Sequence, residues 1–108
     1  INKSPNREKN SIYATLEAEV YNNLAWIDIA QKRLDKAEKR LQHSLKLAKK
    51  GKSPVQLATS NFYLGHISIL KNEIEKAIAY IKEGIELFSE KNYAGIVSKY
   101  EKKLLQVY

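Results

Sequence analysis

The chain has 108 residues, which is enough for one domain with a core of modest size. It contains no cysteine, which excludes a disulfide framework, a thiolate metal site and a cysteine nucleophile, and fits a reducing, cytoplasmic compartment. No apolar run approaches the length of a membrane span, and no signal segment follows Ile1, so neither membrane insertion nor secretion is indicated.

The first ten residues are polar, include Pro5 and show no periodicity, so residues 1–10 are expected to form a flexible lead-in. From Ser11 the pattern is helical, and a first helix is predicted from about Ser11 to Gln31. Its apolar residues recur at spacings of four, four, four and three. This places them on one stripe, predicted to face the core: Ile12, Leu16, Val20, Leu24 and Ile27.

A second helix is predicted to begin near Leu34, where the carboxylate of Asp35 suits the positive end of the helix dipole. Gly51 is expected to end this helix in the left-handed conformation that glycine adopts most easily. Ser53 then caps the third helix, and Pro54 occupies its first position. These signals make the end of helix two the best-defined boundary in the chain.

Three further helices are predicted at about 54–70, 74–89 and 93–107, separated by very short turns. No stretch has the character of a strand. The chain is therefore predicted to be all-α, with two antiparallel helical hairpins followed by a single helix.

The two hairpins repeat one another with a period of about 40 residues, which lies in the range typical of stacked helical repeats. The shift pairs apolar with apolar and small with small residues: Leu24 with Leu64, Ala25 with Gly65, Ile27 with Ile67, Ala37 with Ala77 and Leu41 with Ile81. The small residues are expected where the two helices of a hairpin cross, because a larger side chain there would separate them.

These positions resemble the tetratricopeptide repeat, in which a leucine–small pair precedes an A-x3-apolar motif. The first copy reads Tyr21-x2-Leu24-Ala25, then Ala37-x3-Leu41 and Ser44, and the second reads Leu64-Gly65, then Ala77-x3-Ile81 and Gly84. The resemblance covers about 18–89. It departs from the family pattern in its period and in Asp28, Ser68 and Asn61, which replace aromatic residues.

The resemblance implies a right-handed solenoid of about five antiparallel helices. Repeat one would occupy residues 11–50, repeat two 53–90 and a closing helix 93–107, all within one domain at 11–108. The long period looks like the variant found in bacterial signalling regulators. A chain that begins with Ile1 is accordingly expected to be part of a larger signalling or regulatory protein.

In this family the first helix of each pair lines a concave groove, which implies a binding site for a peptide or partner segment. By register the groove-facing positions are Asn22, Trp26, Ile29 and Arg33 in the first copy and Phe62, His66, Ile69 and Glu73 in the second, and Asn23 and Tyr63 are further candidates for contact with a ligand. Asparagine amides can satisfy the backbone donors and acceptors of a bound peptide. Aromatic walls can bury its apolar side chains.

A second candidate surface is the basic patch formed by Lys36, Lys39, Arg40, Lys46 and Lys50 on helix two, together with His43. The formal net charge of +7 is concentrated there, because residues 32–52 hold nine basic and two acidic residues. Such a patch either binds nucleic acid or an acidic surface as an electrostatic adaptor, or only keeps the helix solvated. No aromatic residue is interleaved with these charges, which disfavours nucleic acid without excluding it.

No catalytic role is predicted, because no serine or threonine has a base beside it and no glycine-rich phosphate loop is present. Two histidines without cysteines predict no metal site, and no cofactor is expected. Exposed apolar ends around Ile12, Tyr13, Leu104, Leu105 and Tyr108 leave homo-oligomerisation open. The function favoured is a non-catalytic module that binds a protein or peptide, with the electrostatic adaptor as the alternative.

Overall fold

The computed structural model describes the backbone of residues 3–90 and the side chains of residues 10–87. Four helices follow one another: α1 (Lys3–Ala30), α2 (Leu34–Lys50), α3 (Pro54–Leu70) and α4 (Ile74–Glu90). This part of the chain contains no strand, so the all-α, helical-hairpin prediction is confirmed. The helix predicted at 93–107 lies outside the described residues.

The three turns between these helices share one backbone geometry. Lys32, Lys52 and Asn72 adopt positive φ angles of 62°, 53° and 62° and are evenly spaced along the chain. In each turn the next residue donates its N–H to the carbonyl five positions back, at 2.8, 3.0 and 2.7 Å, which is the longer bond of a Schellman motif. Because α2, α3 and α4 are also equal in length, equal helices and equal turns account for the constant interval of the sequence repeat.

Gly51 was expected to be the left-handed residue, and that expectation is wrong: its φ is −78°. Lys52 takes the left-handed conformation instead. The physical reason is the position of the hydrogen bonds, since Ser53 N–H must reach Ala48 O and only the residue directly before Ser53 can make the turn. The hydrogen bonds therefore place the left-handed residue at Lys52, although the neighbouring glycine adopts that conformation more easily.

The helix starts predicted at Leu34 and Pro54 are confirmed. At the second, Ser53 Oγ accepts a hydrogen bond from Gln56 N at 3.2 Å, as an N-cap residue should. By contrast, α1 begins at Lys3, well before the expected start at Ser11. Pro5 is compatible with this earlier start because the first-turn N–H groups of a helix have no intrahelical partner.

Each hairpin closes at its small residues, as predicted. Ala25 and Ala37 in repeat one are fully buried with Leu41, and Ala77 is buried in repeat two. A Cβ atom added to Gly65 would lie 2.7 Å from Ile81 Cγ1, so the two helices approach as closely as glycine allows.

The stripe predicted to be the core face of α1 is instead exposed, which corrects the prediction. Its side chains are between 36% and 57% exposed: Ile12, Leu16, Val20, Leu24 and Ile27. The buried face of α1 carries Ala14, Ala18, Asn22, Ala25 and Ile29. Both α2 and α3 pack against α1, while α4 does not. The alanine-rich face is the one in contact, and the larger apolar residues lie outside it.

Asp28 is a buried carboxylate between the helices of repeat one. Its Oδ1 accepts hydrogen bonds from Arg33 Nε and Nη2 at 3.1 and 2.9 Å. Its Oδ2 forms an ion pair with Arg40 Nε at 2.8 Å, outside good hydrogen-bond geometry. The corresponding residue of repeat two is Ser68, so this charged cluster belongs to one repeat only.

Candidate functional site

Three rings meet where α1 lies beside α3, and we call Trp26, Tyr63 and His66 the aromatic cluster. The ring centroids of Trp26 and Tyr63 are 5.0 Å apart, and those of Trp26 and His66 are 5.8 Å apart. Both distances fall in the range of favourable aromatic contacts. Trp26 comes from repeat one and its two neighbours from repeat two, so the cluster sits on the junction between the repeats.

The aromatic cluster is open to solvent on one side. Trp26 is 47% exposed, whereas Tyr63 and His66 are half-buried. Desolvation of the imidazole lowers the pKa of His66 below its usual value, so this ring is neutral at pH 7. The surface around Trp26 therefore offers uncharged aromatic area together with one ring nitrogen that donates and one that accepts hydrogen bonds.

Two exposed neighbours extend this surface. Asn23 is exposed and lies three residues before Trp26, on the adjoining part of the helix surface. Leu70 is 52% exposed and lies four residues after His66, in line with it along α3. Asn23 was predicted from the sequence, and Leu70 was missed although the same helical spacing points to it.

Asn22 was predicted to line an open groove, but the structure buries it at 1% exposure. Its Nδ2 donates to Gln56 Oε1 at 2.9 Å, and its Oδ1 accepts from Ser60 Oγ at 2.8 Å. Ser44 Oγ lies 3.0 Å from Ser60 Oγ and donates to Ala18 O. The amide therefore ties α1 to α3 and is not available to a ligand.

The other predicted groove residues also differ from one another. Ile29 is 6% exposed and belongs to the core with Ala25 and Leu41. Phe62 faces α4, since a Cβ atom at Gly84 would lie 2.9 Å from its Cε1. Ile69 is half-buried. These placements correct the expectation for Ile29 and Phe62, because the core and the facing helix take up their side chains.

The two charged residues predicted to face the groove, Arg33 and Glu73, are already paired. Arg33 bonds Asp28, and Glu73 forms an ion pair with Lys76 at 2.9 Å. The hydrogen bond from Lys76 lowers the pKa of Glu73. Both side chains therefore already have an oppositely charged partner within the chain.

The basic patch loses one member and keeps four. Arg40 turns inward to Asp28, with its side chain 24% exposed, so it does not belong to the outer surface. Lys36, Lys39, Lys46 and Lys50 remain on the surface, and we call them the lysine ridge. In the part of the chain that the structure describes, none of the four forms a side-chain ion pair.

The acidic residues of α2 point to α3 rather than to the lysine ridge. Lys71 Nζ lies 3.0 Å from both Asp35 Oδ1 and Glu38 Oε2. The hydrogen bond from Lys71, with its positive charge, lowers the pKa of Asp35, and the two carboxylates raise the pKa of Lys71. The counter-charges on this helix are thus engaged in joining the repeats.

Within residues 10–87 no three His, Asp or Glu side chains come together as metal ligands would. None of the described helices is both long enough and apolar enough to cross a membrane. The geometry is that of two stacked helical hairpins, whose first helices carry an exposed aromatic surface across their junction.

The tetratricopeptide repeat family matches this sequence at residues 18–50 and 58–91, two segments that begin at the equivalent positions Ala18 and Ala58. The chain therefore belongs to the tetratricopeptide repeat family, as the sequence resemblance predicted. Repeats of this family are in general protein–protein interaction modules and typically serve as non-catalytic scaffolds. Neither a curated protein nor a solved structure matches the chain.

Proposed function

We propose that this chain is a non-catalytic module that binds a peptide or partner segment at the aromatic cluster. The observation that carries the proposal is the position of Trp26, which remains 47% exposed although Tyr63 and His66 hold its ring from across the repeat junction. Tryptophan is enriched among the residues that contribute most to binding at protein interfaces, and this one is both held in place and uncovered.

The chemistry of the surface indicates the kind of segment it takes. Trp26 and Leu70 offer apolar area for an aromatic or aliphatic side chain. Asn23 can pair with the backbone of an extended segment through its amide, and His66 is neutral. A segment with one bulky apolar anchor and no net charge fits this set best, and its affinity should respond little to salt.

Trp26 is the only tryptophan, so its fluorescence reports directly on this site. Peptides selected from a random displayed library against the whole chain should shift that fluorescence on binding. Trp26→Ala should then weaken the selected peptides at least tenfold, or about 1.4 kcal/mol, when measured by calorimetry. The matched control Tyr80→Ala removes a half-buried aromatic of α4 and should leave affinity unchanged. Equal binding to Trp26→Ala and the parent chain would refute the site.

Binding at this place gives a route to a signal. The aromatic cluster and the Asn22–Gln56 contact both cross the junction between repeats, and a solenoid is held together by such nearest-neighbour contacts. A ligand seated on the junction favours one packing of the two hairpins. We propose that a larger cytoplasmic signalling or regulatory protein reads this change, with residues 11–108 acting as its repeat domain.

The lysine ridge supports a second candidate, an electrostatic adaptor for nucleic acid or an acidic surface. Its four lysines follow spacings of three, seven and four along α2, which keeps them on one face. If all four contact phosphates of a duplex, the slope of log K against log salt should be about −3.6. Lys39→Glu with Lys46→Glu should abolish that binding and leave peptide binding at Trp26 unchanged. A salt-independent affinity for the probe duplex excludes this candidate.

A further inference from the structure

A buried polar network lies at the junction between the repeats, and we call its members the polar node: Asn22, Ser44, Gln56 and Ser60. Asn22 belongs to α1, Ser44 to α2, and the other two to α3, so the node joins three helices and both repeats. Asn22 uses both functions of its amide, because Nδ2 donates to Gln56 Oε1 and O at 2.9 and 3.4 Å while Oδ1 accepts from Ser60. None of the buried side-chain atoms of the node lacks a hydrogen-bond partner.

The equivalent positions of repeat two are apolar. One repeat later, Asn22 and Ser44 correspond to Phe62 and Gly84. These two residues pack against each other, since a Cβ atom added to Gly84 would lie 2.9 Å from Phe62 Cε1. The polar side chains are therefore a property of repeat one at the place where it meets repeat two, and the general repeat pattern does not require them.

The polar node lies next to the aromatic cluster. Contacts advance in the same direction along α1 and α3: Asn22 meets Ser60, and one turn later Trp26 meets Tyr63 and His66. The two helices are therefore parallel neighbours, and the rings meet about one turn beyond the node. Because a helix is stiff over one turn, the separation and register of α1 and α3 at the node extend to the three rings.

The apolar residues beside the rings are less selective about this register. Ala25 and Ile29 of α1 belong to the same core as Leu64 and Ile67 of α3, but apolar attraction has no preferred direction. A hydrogen bond needs a defined distance and angle, and a buried amide that loses its partners is costly. A fully paired buried network therefore favours one arrangement of the helices that it joins.

We propose that the polar node is a positioning element of the peptide site, in which Asn22 touches no ligand and sets the affinity by holding Trp26 against Tyr63 and His66. The adjacent asparagine has the opposite role: Asn23 is exposed and can contact the ligand directly. The effect of the node on affinity rests on the proposed function, whereas its effect on the position of Trp26 can be measured in the free chain.

The first test needs no ligand. Asn22→Leu with Ser60→Ala replaces two paired groups by apolar ones, which removes the directed bonds and avoids leaving either of them buried without a partner. Nuclear Overhauser effects between the ring protons of Trp26 and Tyr63 should weaken in this variant, and acrylamide should quench the fluorescence of Trp26, the only tryptophan, more strongly. The matched control Asn23→Ala changes the neighbouring exposed amide and should leave both signals unchanged.

A second pair of variants separates positioning from stability alone. Ile81→Val trims a buried side chain of α4 and should lower the urea midpoint while leaving the Trp26 signals as in the parent. Gln56→Leu removes only one acceptor of the Asn22 amide, so it should shift the Trp26 signals in the same direction as the double variant and by less. This milder variant decides the matter if the double variant does not fold.

The last measurement is the affinity of the peptides selected from the displayed library. Asn22→Leu with Ser60→Ala should weaken them by about threefold or more, as expected for neighbouring residues that are coupled through one network. Unchanged Overhauser effects between Trp26 and Tyr63 would overturn the positioning role whatever the peptides do, and weakened effects with unchanged affinity would overturn its part in binding. If the effects weaken as expected but Trp26→Ala leaves affinity unchanged, the node positions the rings and the peptide site is what fails.

Discussion

Removing the carboxylate of Asp28 is the perturbation whose effect the structure specifies best. Asp28 is 2% exposed at its side chain and touches two guanidinium groups, Arg33 and Arg40. Breaking a fully buried ion pair from one side typically destabilises by about 3–5 kcal/mol. Arg33 and Arg40 are 48% and 24% exposed, so both can recover water. We therefore expect Asp28→Ala to lower the free energy of unfolding by about 2–3 kcal/mol.

Urea unfolding followed by circular dichroism measures this loss. With a slope of about 1.5 kcal/mol per molar urea, the midpoint should fall by about 1.3–2 M. Asp28→Ser provides a comparison because serine is the residue that repeat two uses at this position, Ser68. In a background of Arg33→Ala and Arg40→Ala, the loss on Asp28→Ala should shrink to about 1 kcal/mol or less, as coupled partners require. An equal loss in both backgrounds would refute the ion-pair explanation.

Three further outcomes are expected. Lys52→Gly should raise the free energy of unfolding by about 0.5 kcal/mol because φ is 53° at this residue. Lys46→Gly, inside α2, should lower the free energy of unfolding by about 1 kcal/mol. Thermal unfolding measures both changes, and a loss of stability in Lys52→Gly contradicts the prediction. Burial lowers the pKa of His66 from 6.5, so as pH falls the imidazole is protonated in the unfolded chain before it is protonated in the folded one. The free energy of unfolding should therefore fall as pH drops below about 6.5. Urea unfolding at several pH values should show a larger decrease for the parent chain than for His66→Gln. Gly65→Val places a Cβ 2.7 Å from Ile81 Cγ1 and should lower the free energy of unfolding by about 1–3 kcal/mol or more. Urea unfolding measures this loss, and unchanged stability would refute the close packing.

The helical framework could be predicted because its signals are local. Ser53 and Pro54 mark the start of α3, and the repeat register that pairs Ala37 with Ala77 places both hairpins. The register also indicated the family, because the leucine–small pair and the following alanine fall where the helices of each hairpin cross. The division of the chain into repeats at 11–50 and 53–90 and a closing helix at 93–107 stays a prediction.

Side-chain environments could not be predicted where they depend on partners distant in sequence. Asn22 is buried because Gln56 and Ser60 lie 34 and 38 residues later and satisfy its amide. Periodicity identified an apolar face on α1, but it could not say that Ala18 and its neighbours would be the face in contact. When a helix has two apolar faces, its periodicity does not show which of them contacts the neighbouring helices.

Within the candidate site, Trp26, Tyr63 and His66 were predicted as groove residues, and the structure brings them together. Phe62 and Ile29 were predicted with equal weight and lie elsewhere. One residue along a helix turns a side chain by about 100°, so the rotation of α3 about its own axis decides whether Phe62 or Tyr63 faces α1.

Because the turns at Lys32, Lys52 and Asn72 share one geometry, every connection within and between the two hairpins has the same form. Excising one whole hairpin between equivalent points rejoins a helix in its original phase and direction, whereas excising a single helix with its turn would reverse every element downstream. Duplication or loss of the gene segment for one hairpin could therefore lengthen or shorten such an array, because the turn that joins neighbouring hairpins stays the same.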